Sequence, residues 1–132
     1  MTVIVCLDDK NGMLFGGKRQ SRDIEVVKKV QELSVGKRLW MNEYSKGLFN
    51  IDAIFVDEDF LEKAEAGDVC FVENKSLSDF RDKIKQLVVF KWNRVYPSNF
   101  KFDILLSDYK LESSIDFKGN SHEKITQEVY MK

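Results

Sequence analysis

Ser21 and Asp23 stand just ahead of an amphipathic run whose apolar face is Ile24, Val27 and Val30, flanked by Val26 and Leu33. That spacing predicts a helix capped by Ser21 and ended by Gly36, with Asp23 in its first turn. A carboxylate at this position complements the helix dipole. If it is also partly desolvated, so that its pKa rises toward working pH, it can relay a proton. The preceding stretch, Gly16-Gly17-Lys18-Arg19-Gln20-Ser21-Arg22, joins flexible backbone and three cations to the same helix start. Gly16, Gly17, Lys18, Arg19 and Arg22 are therefore candidate ligand-binding residues for a phosphate or carboxylate. The stretch lacks the phosphate-loop pattern Gly-x-x-x-x-Gly-Lys-Ser/Thr, and a solvated basic loop is the plainer reading.

Other chemistry-bearing residues are more isolated. Trp40 and Trp92 offer faces on which an aromatic ligand can stack, although a tryptophan beside a strand commonly packs in the core. Asp57-Glu58-Asp59 supplies oxygen ligands without calcium-loop spacing and reads as a solvated turn, so no metal is expected. His122 is the single histidine and is expected in a surface turn. One histidine excludes the His-x-His-x-Asp-His cluster of two-metal ribonucleases of the metallo-β-lactamase type. A Ser-His-Asp or Cys-His hydrolase would have to recruit His122, and nothing in the sequence supports that. Cys6 and Cys70 lie in apolar runs, as buried thiols of a reducing compartment do, so a cytoplasmic protein is expected.

The elements that must position these residues fit one domain over residues 1–132. Hydrophobic residues make up 43% and charged residues 33%, an ordinary globular balance, and the net charge is −1. That charge supplies no global field for nucleic acid or an anionic membrane, and no stretch approaches the length of a membrane span. Apolar runs predict strands at Val3–Leu7, Leu39–Met41, Ala53–Val56, Val69–Val72, Leu87–Phe90 and Phe102–Leu106. Residues 8–22 read as a long loop, 44–48 as a turn or short helix, 60–66 as a helical turn stopped by Gly67, and 76–84 as a helix. Leu111–Phe117 and Ile125–Met131 partly alternate around Gly119-Asn120, which predicts an antiparallel edge hairpin with Ile125 and Val129 inward and Glu128 in solvent. Continuous apolar strands alternating with helices imply a mainly parallel sheet covered on both faces, with Val3–Leu7 and Leu87–Phe90 among its central strands.

Several local sequences, in this order, resemble the dihydrofolate reductase family. Val3 through Gly12 resembles the first strand and the start of the active-site loop. Ser21-Arg22-Asp23-Ile24 falls where the family places its catalytic carboxylate. Lys37 through Met41 resembles the strand before the cofactor-binding helix. Val88 through Tyr96 resembles the second cofactor segment, with Arg94-Val95-Tyr96 opening a helix. Ile104 through Ser107 resembles the strand that presents a hydroxyl to the carboxylate, and Asn120-Ser121-His122 with Ile125–Lys132 resembles the last turn and strand. The resemblance implies an α/β, three-layer fold with a mixed sheet. It also implies a pocket lined by Asp23 and Ser107 as candidate catalytic residues, with Lys91, Trp92, Asn93 and Arg94 in the cofactor-binding place.

Departures from the family bear on function. Trp92-Asn93 stands where adjacent glycines let backbone approach the cofactor pyrophosphate. Asn42-Glu43 replaces a Gly-Arg pair, and Asp57-Glu58-Asp59 lies near the adenosine-phosphate pocket, where it repels a 2′-phosphate. No arginine near Asn50-Ile51-Asp52 is placed to grip a folate tail. The expectation is a domain with a degenerate NADPH site that binds a small planar or anionic ligand, with NADPH and NADH disfavoured. The alternatives are an active pterin or heterocycle reductase with an altered cofactor mode, and a non-enzymatic module whose sheet edge or Trp-bearing surface meets another protein.

Overall fold

The computed structural model describes residues 1–132. Its strands are β1 (Thr2–Leu7), β2 (Gly12–Phe15), β3 (Lys18–Arg19), β4 (Leu39–Met41), β5 (Ile54–Val56), β6 (Val69–Phe71), β7 (Gln86–Lys91), β8 (Phe100–Lys101), β9 (Lys110–Phe117) and β10 (Ile125–Met131). Its α-helices are α1 (Ile24–Leu33), α2 (Glu43–Lys46) and α3 (Phe60–Lys63). Seven strands form the main sheet in the order β5-β4-β6-β1-β7-β10-β9, parallel from β5 to β7 and antiparallel from β7 through β10 to β9. The two apolar runs expected at the centre are adjacent there, and the C-terminal hairpin forms the edge as expected.

Period-two alternation within nearly continuous apolar runs builds two cores. Val3, Val5, Leu7, Leu87 and Val89 point to one face, where Phe60, Leu61 and Ala64 of and beside α3 pack. Ile4, Val88 and Phe90 point to the other, against Val26 and Val30 of α1. The second core holds α1 in place, because the apolar stripe of the helix packs against this sheet face.

Four local expectations are corrected. The 8–22 loop is a hairpin of β2 and β3 turned by Gly16 and Gly17, both at positive φ (60° and 76°), and it joins β8 in a second, three-stranded sheet. Two consecutive left-handed residues give the twist that a two-residue hairpin needs. The 76–84 helix is only a 3-10 turn at Ser78–Phe80, since Asp103 accepts from the Ser76 hydroxyl and from the Leu77 N–H and pins the segment where a helix would begin. Phe102–Leu106 is not a strand: the sheet place beside β7 is taken by β10, so Phe102 and Ile104 are buried from an irregular segment. Nor does a helix begin at Arg94; the chain runs irregularly from Trp92 to β8.

On β10, Ile125 and Val129 do face the α1 side, but Glu128 is not in solvent. It accepts from the Tyr130 hydroxyl at 2.9 Å. The strand is interior to the sheet, because β9 lies outside it, and residues 127–131 are all partly buried.

At the opposite end of the sheet, buried Asp68 joins β4 to β6. Its carboxylate accepts two bonds from Arg38, at 2.9 Å each, one from the Trp40 indole at 2.9 Å and one from the Glu65 N–H at 2.8 Å. Asp68→Ala leaves the Trp40 and Glu65 donors unmatched and is expected to cost about 2–4 kcal/mol in urea unfolding with an unchanged m-value. A loss below about 0.5 kcal/mol would show that water replaces the carboxylate freely.

Candidate functional site

At the carboxyl ends of β1 and β7 the chain opens a crevice toward the start of α1, the place where parallel sheets commonly take ligands. Asp23, not Ser21, is the N-cap of α1, and its Oδ1 accepts from the Glu25 N–H at 2.9 Å. Three further donors converge on this buried carboxylate from the turn before β10. They are the Asn120 N–H on Oδ1 and the Ser121 N–H on Oδ2, both at 2.8 Å, and His122 Nδ1 on Oδ2 at 3.1 Å. Gly119 permits the approach: a Cβ there would lie 2.5 Å from Asp23 Oδ2 and 2.7 Å from Ile125 Cδ1. Burial pushes the Asp23 pKa up, yet the three N–H groups and the imidazole outweigh it and hold the carboxyl at about 2. This is the reverse of the raised pKa that a proton-relaying acid requires.

His122, expected at the surface, is 5% exposed. Its ring stacks on Trp92 with centroids 4.7 Å apart and planes 22° apart. Because ionised Asp23 can only accept, Nδ1 carries the hydrogen, and in the neutral imidazole Nε2 then presents its lone pair. Two hydroxyls reach that lone pair, Ser21 Oγ and Tyr96 OH, each at 3.1 Å. From the sequence, His122 reads only as a lone surface histidine and Tyr96 has no role of its own. The usable signal was Gly119 ahead of a lone histidine, in a turn feeding an interior strand.

Trp92 is buried and occupies the crevice as a wall. The space it shares with Cys6, Asp23, Val26, Phe49 and Phe71 amounts to about 20 Å³, near the size of a single water and far below a heterocycle. Ser107 is not brought to Asp23; it is exposed in a 3-10 turn, Leu106–Asp108, because the segment expected to carry it as a strand lies outside the main sheet. In the expected cofactor segment, Asn93 adopts φ 59° and donates through its amide to Thr126 Oγ1 at 2.9 Å. An asparagine thus supplies the left-handed conformation where a glycine was missed. Lys91 lies 4.0 Å from Glu128, and Arg94 is exposed.

The basic stretch divides. Gly16 and Gly17 sit at the hairpin tip, the former donating its N–H to Asn99 Oδ1, so they do not cradle an anion with the others. Lys18, Arg19, Ser21, Arg22 and Tyr44 line an open depression of about 450 Å³. Within it Arg19 is neutralised: its guanidinium bonds both oxygens of buried Glu73, at 2.9 and 3.0 Å, and lies over the Tyr44 ring at 4.4 Å. Ser45 adds a third bond to Glu73 at 2.8 Å. Lys18 and Arg22 keep their charge facing solvent.

The remaining candidates are structural. Asp57 pairs with Lys63, and Glu58 accepts from the Glu43 N–H at the start of α2. Trp40 lies partly buried against Phe55. Both cysteines are free thiols, and burial pushes Cys70 up to about 12. No helix is long and apolar enough to cross a membrane.

The architecture is that of dihydrofolate reductases. A dihydrofolate reductase from Enterococcus faecalis, solved in complex with NADP(H) and RAB-propyl, superposes with a TM-score of 0.70 over 98% of this chain and 94% of that one, at 12% identity. No protein-family model and no curated protein sequence matches the chain. The likeness establishes the fold, a divergent version of it in sequence.

Two consequences of the Asp23 cluster are measurable. Gly119→Ala drives a methyl into a carboxylate fixed by four bonds and is expected to cost about 2–3 kcal/mol in chemical unfolding; a neutral result would mean that the turn can slide. The depressed Asp23 pKa gives stability that is present above the unfolded value of 3.8 and lost as pH falls through about 2. The wild type is therefore expected to lose about 2 kcal/mol more than Asp23→Asn between pH 5 and pH 1.5. Parallel acid limbs in the two proteins would refute that assignment.

Proposed function

We propose that this chain is a small-ligand-binding domain on the dihydrofolate reductase scaffold that has given up NADPH-dependent folate reduction. One observation carries the reading: the carboxylate in the family's catalytic place is consumed by its own chain. A pterin needs Asp23 both as hydrogen-bond acceptor and as a source of protons, but four internal donors occupy it and hold it ionised. Trp92 and His122 occupy the adjoining crevice. The irregular backbone after Trp92 offers no helix N-terminus to a pyrophosphate, and Asn93 is tied to the β10 strand. Asp57, Glu58 and Asp59 leave net negative charge near the end of β5, unfavourable to a 2′-phosphate.

The ligand that suits the accessible surface is a small anion. Lys18 and Arg22 rim the depression over Ser21, and Tyr44 lines it with a ring and a hydroxyl. Two cysteines that pair with no other, Cys70 buried and Cys6 partly so, fit a cytoplasmic setting. Binding here uses two exposed cations, so it is weak and salt-dependent.

Calorimetry at low salt separates this reading from a working reductase. NADPH is expected to bind no tighter than millimolar, with dihydrofolate not turned over. Inorganic phosphate is expected to perturb the amide signals of Lys18 to Arg22, and Lys18→Glu/Arg22→Glu to abolish that perturbation. Low-micromolar NADPH binding with turnover that Asp23→Asn abolishes would put the reductase reading first.

A further inference from the structure

Ser21, His122 and Asp23 are joined in a line: Oγ to Nε2 at 3.1 Å, and Nδ1 to Oδ2 at 3.1 Å. These are the distances and roles of a nucleophile, a general base and the carboxylate that orients it. The tautomer is the required one, since Asp23 accepts from Nδ1 and leaves the Nε2 lone pair facing hydroxyls. The imidazole cannot swing away, because Trp92 stacks on one face and Asp23 is itself fixed by three backbone N–H groups. His122 and Asp23 are buried while Ser21 is only half-buried and faces the open depression. The nucleophile is thus the member that a substrate reaches first.

Charge stabilisation is also at hand. The Arg22 N–H, on the residue after the hydroxyl, donates to no carbonyl of the chain, and the Arg22 side chain lines the same depression. A backbone donor next to the attacking oxygen is where acyl-transfer sites commonly hold an oxyanion.

We propose that Ser21, His122 and Asp23 form a hydrolytic site for small esters whose acyl group carries a negative charge. The preference for a charged acyl group rests on the anion-binding reading of Lys18 and Arg22; the triad itself does not. In the first half-reaction Ser21 Oγ attacks the ester carbonyl carbon as its proton passes to His122 Nε2. The carbonyl π electrons move onto oxygen, then return as the C–O bond to the leaving alcohol breaks, and Nε2 gives that alcohol the proton. In the second, water attacks the acyl-serine carbonyl and loses a proton to Nε2. The acyl–Oγ bond then breaks, and Nε2 returns the proton to Oγ. No oxidant or metal enters, and water is the sole co-reactant.

Tyr96 sets the rate. Its hydroxyl competes with Ser21 for one lone pair, so the resting site divides Nε2 between the two. Removing the phenol hydroxyl is expected to accelerate chemistry at Ser21, which a purely structural cluster does not predict.

The test uses a fluorophosphonate probe on the full chain, read by intact mass and peptide mapping. Ser21 is expected to label at least 100-fold faster than the exposed Ser121. Ser21→Ala is expected to abolish that label, His122→Gln to slow it at least 100-fold in protein shown folded by circular dichroism, and Tyr96→Phe to speed it about threefold or more. In the same protein, p-nitrophenyl hemisuccinate is expected to be cleaved faster than the neutral acetate ester. Loss of that preference in Lys18→Glu/Arg22→Glu, read as the ratio of the two ester rates within that variant, locates charge selection in the two cations. Ser21 left unlabelled in both wild type and Tyr96→Phe, or labelled at equal rates with and without His122, would overturn the hydrolytic site. Equal cleavage of the two esters with normal labelling would overturn only the anionic substrate class.

Discussion

The Asp23 carboxylate is a negative charge taken out of water, and it is tolerated only because four donors meet it. One comes from α1, which it caps, and three come from the turn leading into β10. The carboxylate therefore ties the start of the first long helix to the end of the chain. Gly119 must be bare for the turn to come close enough, and His122 must present Nδ1. Once His122 is oriented, Trp92 has a flat partner, and the space that Trp92 shares with Asp23 shrinks to little more than one water. Asp23 thus acts as a fastener between the start of α1 and the turn before β10.

Much of the scaffold was legible because the sheet is written in hydrophobic alternation. Val3 through Leu7 and Leu87 through Phe90 are apolar at every position or nearly so, as only strands covered on both faces are. The edge hairpin was legible for the opposite reason, its partial alternation around Gly119-Asn120. Glu128 misled because a charge on an alternating strand normally faces water, and its burial depends on β9 lying outside β10. Phe102 and Ile104 misled in the same way, since two buried residues at strand spacing carry no information about whether a neighbour is left to pair with. The 8–22 stretch reads as loop from composition, and only the paired left-handed glycines mark the hairpin.

The site was less legible than the fold. Asp23 was found, but its state was not, because the donors that depress its pKa lie 97 to 99 residues away. His122 offers no periodicity or partner nearby in sequence; its burial is a property of the turn and the Trp92 stack together. Arg19 shows the converse. It looked like one of three free cations, yet Glu73 and Ser45 meet it from elements that sequence spacing does not connect. What survives as accessible charge is Lys18 and Arg22, one on the short β3 strand and the other just before α1.

The length of the loop that Asp23 closes also governs the order in which the chain can acquire its structure. A contact spanning nearly the whole sequence forms only after a large loss of chain entropy, which the local pairings must first offset. During synthesis, α1 and the parallel strands emerge long before residues 119–131. Until then Asp23 has only its own helix for company, and β7 has one free edge made of apolar residues. A nascent chain at that stage exposes an edge that a second copy can pair with, so aggregation competes with folding until the last strand arrives. Completion comes with the final strand, which covers that edge and brings the three remaining donors to the carboxylate in one step.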